Sequence, residues 1–438
     1  MKKLGPFNLS RDAFQRFYDL HSWLGSVSGL ALFICAFSGT LALFERDLVA
    51  WERPEVRFTG PEAGSLDVDQ LLSRAIVHLD EIHDHAVHDF FVTLPLKNQG
   101  GLQVRAFGEG EVHKVHVDPY TGSVLDGDTK RTAFEFLTHL HTDLHLPRPF
   151  GRYLVGFLGV VMMMSLISGV LAHPKIIKDL FLLRWRPSLR LTASDVHKQV
   201  GVWGLVFGSV MAFTGAVIGL LGLIAPAMVL SAFGGDVGKA TEAFSGPRFE
   251  ETGVTAEMLP VAPLIERVQD QRPDFRVTTL FFSHWGDESA EVTLNLERAP
   301  YRQLTAGESH RVSLADGETL YVSTFTERGL GSRLFGSVQP LHYALFGGLG
   351  LKLIYFISGL VLSLGIATGT LIWIERRRSS AGGRDRYFWL GRLHLGGSLG
   401  LVVASAVSIA AGRFASEAIE PAFWLTWAVL LGFSCITS

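Results

Sequence analysis

The sequence predicts an integral membrane α-helical bundle with four core spans and two further ones. It also predicts two small α+β domains on one side of the membrane and a parallel internal repeat. Three observations lead there: long uncharged apolar runs, basic residues gathered in alternate connections, and histidine–glycine spacings that recur in both halves of the chain. Of the 438 residues, 48% are apolar and only 18% charged, which is low for a soluble domain. A formal net charge of −3 argues against a nucleic-acid binder. Two cysteines, Cys35 and Cys435, exclude a disulfide framework, a Cys-ligated iron–sulfur cluster and a four-cysteine zinc site. Metal chemistry must therefore rest on the 16 histidines or on carboxylates.

The uncharged runs are Trp23–Phe44 (22 residues), Tyr153–Ala172 (20), Gln199–Gly235 (37), Leu353–Ile374 (22), Leu395–Gly412 (18) and Pro421–Ser438 (18). A spanning helix needs about 20 such residues, since it rises about 1.5 Å per residue across about 30 Å of hydrocarbon. The first run is too long for a signal peptide and no small-residue cleavage site follows it, so it is expected to remain as a span. An N-terminal segment with span one is expected over 1–50, an outer domain over 51–135, and an outer His helix with span two over 136–173. A basic loop at 174–198 leads to span three at 199–235, and a second outer domain covers 236–335. A second outer His helix with span four covers 336–375, a basic loop 376–393, and spans five and six 394–438.

Lys and Arg in short connections set orientation. Lys2, Lys3, Arg11 and Arg16, then Lys175, Lys178, Arg184, Arg186, Arg190 and Lys198, then Arg376, Arg377, Arg378, Arg384, Arg386 and Arg392 fall on one side, the cytoplasm by this rule. The two long segments then lie outside. In the first, Leu66–Asp80 has helical spacing, and Asp89–Leu94, Leu102–Phe107 and His113–Val117 alternate like strands. Asp118-Pro119-Tyr120-Thr121-Gly122 follows as a tight turn. The second repeats the order, with a helix over Thr255–Gln269 and strands at Val277–Phe282, Glu291–Leu296 and His310–Leu314.

The spans repeat too. His21 precedes Gly39 by 18 residues and His197 precedes Gly215 by 18; His141 precedes Gly169 by 28 and His342 precedes Gly369 by 27. Both copies start on the cytoplasmic side, which makes the repeat parallel. Histidines at matched depths on facing helices, beside small residues, are what a helix bundle needs to hold haem b through two axial imidazoles. Gly25/Gly29, Gly204/Gly208 and Gly215/Gly219 supply flat faces, although such pairs also serve helix packing alone. His21 with His197 would ligate an inner haem, and His141 with His342 an outer one. His139, His145, His173 and His394 stand as alternative ligands, His145 sharing a helix face with His141. His83, His85 and His88, among Asp80, Glu81, Asp84 and Asp89, form a candidate ion site, although a solvated acidic helix end and turn explains them better because no ligand geometry is fixed. No catalytic residue is assigned, and no nucleotide-binding motif is present.

The segments Leu20-His21-Ser22-Trp23-Leu24-Gly25, Val115-His116-Val117-Asp118-Pro119-Tyr120-Thr121-Gly122 and Leu140-His141-Thr142-Asp143-Leu144-His145-Leu146 resemble the PepSY-associated transmembrane helix family, also described as iron-regulated membrane proteins. The resemblance spans nearly all of residues 10–375, and the Asp-Pro-x-Thr-Gly turn is its PepSY mark; the second outer segment lacks that turn. It implies a multi-pass protein of the bacterial inner membrane with PepSY-like periplasmic domains, and some members look like dihaem ferric-siderophore reductases. The expected function is therefore electron transfer through two haem b groups from a cytoplasmic reductase or membrane quinol to a ferric siderophore or other ferric chelate, held between the outer domains. A PepSY-bearing membrane anchor that binds or inhibits a protein, and an iron or siderophore transporter, are the alternatives.

Overall fold

The computed structural model describes the chain apart from residues 1–6, 8, 59–64, 83–87, 96–100, 108–111, 127–130, 174, 177–180, 182–188, 248, 299–303, 305–306, 325–328, 382–385 and 437–438. Much of the basic loop 174–198 and part of 376–393 lie outside the described residues. The protein is mostly helical, with a separate antiparallel sheet.

Among the described residues, five helices are long and apolar enough to cross a membrane: α1 (Arg11–Ala42), α5 (Phe150–Leu171), α13 (Gly348–Ala381), α14 (Arg386–Phe414) and α15 (Ile419–Ile436). The 37-residue run 199–235 is not one helix. It divides into α6 (Leu189–Trp203) and α7 (Leu205–Gly219), bent by 68°, followed by α8 (Leu221–Phe233) and then α9 (Val237–Ser245), bent by 98° from it. The physical reason is length: a single helix of that size would reach about 55 Å, nearly twice the hydrocarbon thickness. The chain turns at Gly204 and again at Leu220, and α8 ends on Gly234 in the left-handed region.

The outer segments contribute α2 (Glu45–Glu52), α3 (Val68–Ile82), β1 (Phe90–Thr93), β2 (Leu102–Phe107), β3 (Val112–Val117) and β4 (Val124–Asp126) from the first, and α10 (Val261–Gln271), β5 (Phe275–Ser283), β6 (Glu291–Arg298), β7 (Glu308–Ser313) and β8 (Thr319–Ser323) from the second. The six strands read from alternation are present within a residue or two. The expected helix over Thr255–Gln269 begins only at Val261, after Pro260, and its first amides are capped from the other segment: Asp69 accepts from Val261 N at 2.6 Å and Ala262 N at 3.0 Å. The Asp118 turn forms as expected, with Gly122 at φ +70° and the Asp118 carboxylate accepting from Tyr120 N at 2.8 Å.

These eight strands form one sheet in the order β4-β3-β2-β1-β5-β6-β7-β8, with β1 and β5 paired antiparallel through Phe90–Phe282 to Thr93–Thr279. One core face, built on Phe90, Val92, Val104, Leu280, Phe282 and Leu294, runs across both segments under α3 and α10. Through the β1–β5 pairing the two outer segments share one continuous sheet. The opposite face carries Phe91 packed on Phe281, ring centres 4.4 Å apart, and Lys114, which pairs with Glu135 at 2.8 Å. Glu135 lies on α4 (Ala133–Thr142), so the sheet is tied to the helix that bears His141.

Spans five and six pack on the C-terminal half of α1 and on α4: Phe33, Phe37, Phe136, Leu140, Leu401, Ala404, Ile419 and Phe423 form one buried cluster. Glycine pairs behave as packing surfaces at Gly156 and Gly219, where a Cβ on either would meet the other's backbone at 2.9 and 2.6 Å, and at Gly29 against Thr370.

Candidate functional site

Two histidine pairs face each other at two levels of the bundle. The His21 and His197 ring centres are 5.9 Å apart, and those of His141 and His342, the latter on α12 (Val338–Tyr343), are 6.0 Å apart. Each pair takes one histidine from each half of the chain.

Each ring lies on a glycine, and the partnership is crossed. A Cβ at Gly169 would meet His21 at 3.0 Å, at Gly39 His141 at 2.6 Å, at Gly369 His197 at 2.7 Å and at Gly215 His342 at 3.1 Å. The four glycines named by the sequence spacing are therefore the four that cradle imidazoles. Each serves the histidine of the other span in its half, not the one from which the spacing was counted.

Each ring is also held by one nitrogen. His21 Nδ1 lies 2.8 Å from the Ser165 carbonyl, His141 Nδ1 2.8 Å from that of Cys35, and His197 Nδ1 2.8 Å from that of Gly365. These carbonyls sit one helical turn before the cradling glycine. His342 Nδ1 instead lies 2.8 Å from the Thr214 hydroxyl, which itself donates to Val210 O at 2.6 Å and so accepts from the ring. A carbonyl can only accept, so Nδ1 carries the proton and Nε2 keeps its lone pair, the tautomer a metal ligand needs.

An imidazole nitrogen binds a first-row metal ion at about 2 Å, with the ring centre about 1 Å behind, so two rings on opposite sides of one ion have centres about 6 Å apart. Both pairs meet that requirement. Around the outer pair lies a cavity of about 430 Å³, lined by both rings, Gly39 and Gly215 and by apolar side chains including Leu158, Met162, Phe207 and Leu362. That volume is in the range of small-molecule sites. The glycine cradles, the fixed tautomers and the ring spacing fit a planar iron macrocycle with two axial imidazoles.

The alternative ligands go elsewhere. His145 stacks on Phe136 with ring centres 4.3 Å apart, in a left-handed backbone position, and His139 faces Asp143 at 3.4 Å; the two rings are 6.2 Å apart. His394 bonds to Ala367 O at 3.1 Å between α13 and α14, and His173 Nδ1 accepts from Lys175 N at 3.3 Å. His83 and His85 lie outside the described residues, while His88 is exposed beside Glu251 at 3.5 Å. Among the described residues no group of three or more His, Cys, Asp or Glu side chains can hold an ion.

Sequence reasoning missed what supports the outer pair. Glu52 is buried at the N-terminus of α4, accepting from Ala133 N at 2.8 Å, with its other oxygen against Gly412 of α14. Burial pushes its carboxyl up to about 7 against the lowering effect of its hydrogen bonds. Arg46, Arg152 and Lys352 reach the cavity wall, and no pattern in the sequence marks them.

The comparisons agree on kinship. An uncharacterized protein of Pseudomonas aeruginosa is 32% identical over 302 residues, covering 67% of this chain and 75% of that protein. The profile of the PepSY-associated TM region matches residues 18–376, which include all four paired histidines and their glycines. This multi-pass membrane protein belongs to the PepSY-associated TM family.

Proposed function

We propose that the chain is a dihaem b oxidoreductase of the bacterial inner membrane that passes electrons from the cytoplasmic side to the periplasm and reduces ferric iron there, in a ferric siderophore. The observation that carries this reading is the duplicated imidazole pair: two sites at different depths, each with glycine cradles and Nδ1 held so that Nε2 is left for iron. Each haem would supply a one-electron carrier. His21 and His197 would hold the inner haem, and His141 and His342 the outer one.

This chain's own residues do the rest. The helix carbonyls and Thr214 keep each ring in one orientation and one tautomer. Apolar side chains line most of the outer cavity, and the glycines admit a flat group between helices. The outer strands and helices are read as two PepSY-like units of a parallel repeat, since each half gives one histidine to each pair. The N-terminus is cytoplasmic, as the basic connections favour. A cytoplasmic reductase or membrane quinol would supply electrons. The ferric chelate would approach on the outer side, below the open face of the sheet. Iron(II) is held more loosely than iron(III) by hard oxygen ligands, so reduction releases it.

The test is anaerobic reoxidation of dithionite-reduced, desalted protein by ferric chelates, with iron(II) trapped by a ferrous chelator. Reoxidation with stoichiometric iron(II) is expected, slowed in His342→Ala. Protein that binds haem yet stays reduced with a panel of ferric siderophores would refute the reductase reading.

A further inference from the structure

The cavity beside His141 and His342 has three cations on its wall. Arg46 of α2, Arg152 of α5 and Lys352 of α13 line its wall from three separate elements. Lys352 is held by Asp47. Arg46 and Arg152 make no ion pair among the described residues. Glu45 also reaches the wall, where its Oε2 accepts from Thr138 at 2.6 Å. On the sheet, burial and then the charge of Arg46 hold Arg105 below its usual range, and burial raises Glu297 against the pull of the same guanidinium. Cations beside an apolar cavity in a membrane protein are costly unless an anion meets them. The guanidinium is the side chain whose donor fork matches a carboxylate.

Resting on the function proposed above, we propose that Arg46, Arg152 and Lys352 form an anion-binding wall that receives the carboxylates of a dicarboxylate macrocycle whose iron lies between His141 and His342. Two guanidiniums without ion pairs answer two carboxylates, and Lys352, shared with Asp47, adds positive potential between them. The wall fixes which edge of the macrocycle faces outward and leaves metal ligation to the histidines. Anionic lipid headgroups and acidic chelates share the carboxylate's charge but have no claim on the imidazoles, so the test separates them.

The experiment titrates haem, and haem dimethyl ester in which both carboxylates are blocked, into haem-depleted protein in detergent, followed by the Soret band. The His21→Ala background isolates the outer site. Free-acid haem should bind more tightly than the ester by roughly tenfold for each carboxylate that esterification blocks. Arg46→Gln with Arg152→Gln should bring haem down to the ester's affinity and leave the ester unchanged, and lysine at both positions should restore part of the difference. Equal affinity of acid and ester in the His21→Ala protein, or equal weakening of both ligands in the glutamine variant, would overturn the wall while leaving the histidine assignment standing. Wild-type protein that takes up no haem would overturn both.

Discussion

One hydrogen bond separates the four imidazoles: three donate to helix carbonyls, and His342 donates to the Thr214 hydroxyl. A helix carbonyl is the stronger acceptor and makes the ring a more electron-rich ligand, which favours ferric iron. The outer site should therefore have the higher reduction potential, the order that drives electrons outward. Spectroelectrochemical titration should show it, with Thr214→Ser near wild type and Thr214→Val raising the outer potential further; an outer site below the inner one would refute the argument. Glu52 makes a second residue-scale prediction. Its carboxyl is raised from 4.5 to about 7 by burial, so the folded state favours the protonated form. Its stabilising contribution is complete below the ordinary carboxylate range and is lost as pH rises through about 7. Melting temperature should fall over that interval, and Glu52→Gln should flatten the fall. The four histidines and four glycines were legible because their spacing recurs and ionisable groups beside spans are rare. The carbonyl acceptors were not, because every residue has a carbonyl and only the fold selects one.

Helices decide which glycine meets which histidine. Counting along the chain could not reveal the crossed arrangement, since it arises from α1 lying beside α4 and α5, and α13 beside α6. It yields a selective test: Gly39→Leu should cost the outer haem and Gly369→Leu the inner one, each by driving a side chain into the cradled ring, as read by haem content of purified protein. Loss of the inner haem from Gly39→Leu would contradict the assignment. The bend at Gly204 was equally illegible, because an uncharged run reports hydropathy and not direction. Spans five and six, short in the sequence, pack on the face of α1 and α4 turned from the imidazoles, where Phe136 and Leu140 meet Leu401 and Phe423. Orientation is tested by labelling single cysteines in intact spheroplasts with an impermeant maleimide. Sites in 50–135 and 240–335 should react, whereas reaction in 376–392 would invert the topology.

Across the whole molecule, the sheet and the bundle are parts of one device. The alternating strands were legible, but their union was not: β1 and β5 come from segments separated by several helices of the bundle, and only tertiary pairing joins them. That union makes one continuous sheet and ties it through Lys114 and Glu135 to the helix bearing His141. The proposed electron path stands on two haem sites stacked through the protein. The most direct measurement is a pyridine haemochrome count on detergent-purified protein, set beside the same count for each histidine variant. Two haem b per chain are expected, falling to one in His21→Ala or His197→Ala and to one in His141→Ala or His342→Ala, with the other haem's spectrum retained. A count of zero or one in the wild type, or two haems retained in these variants, would contradict it.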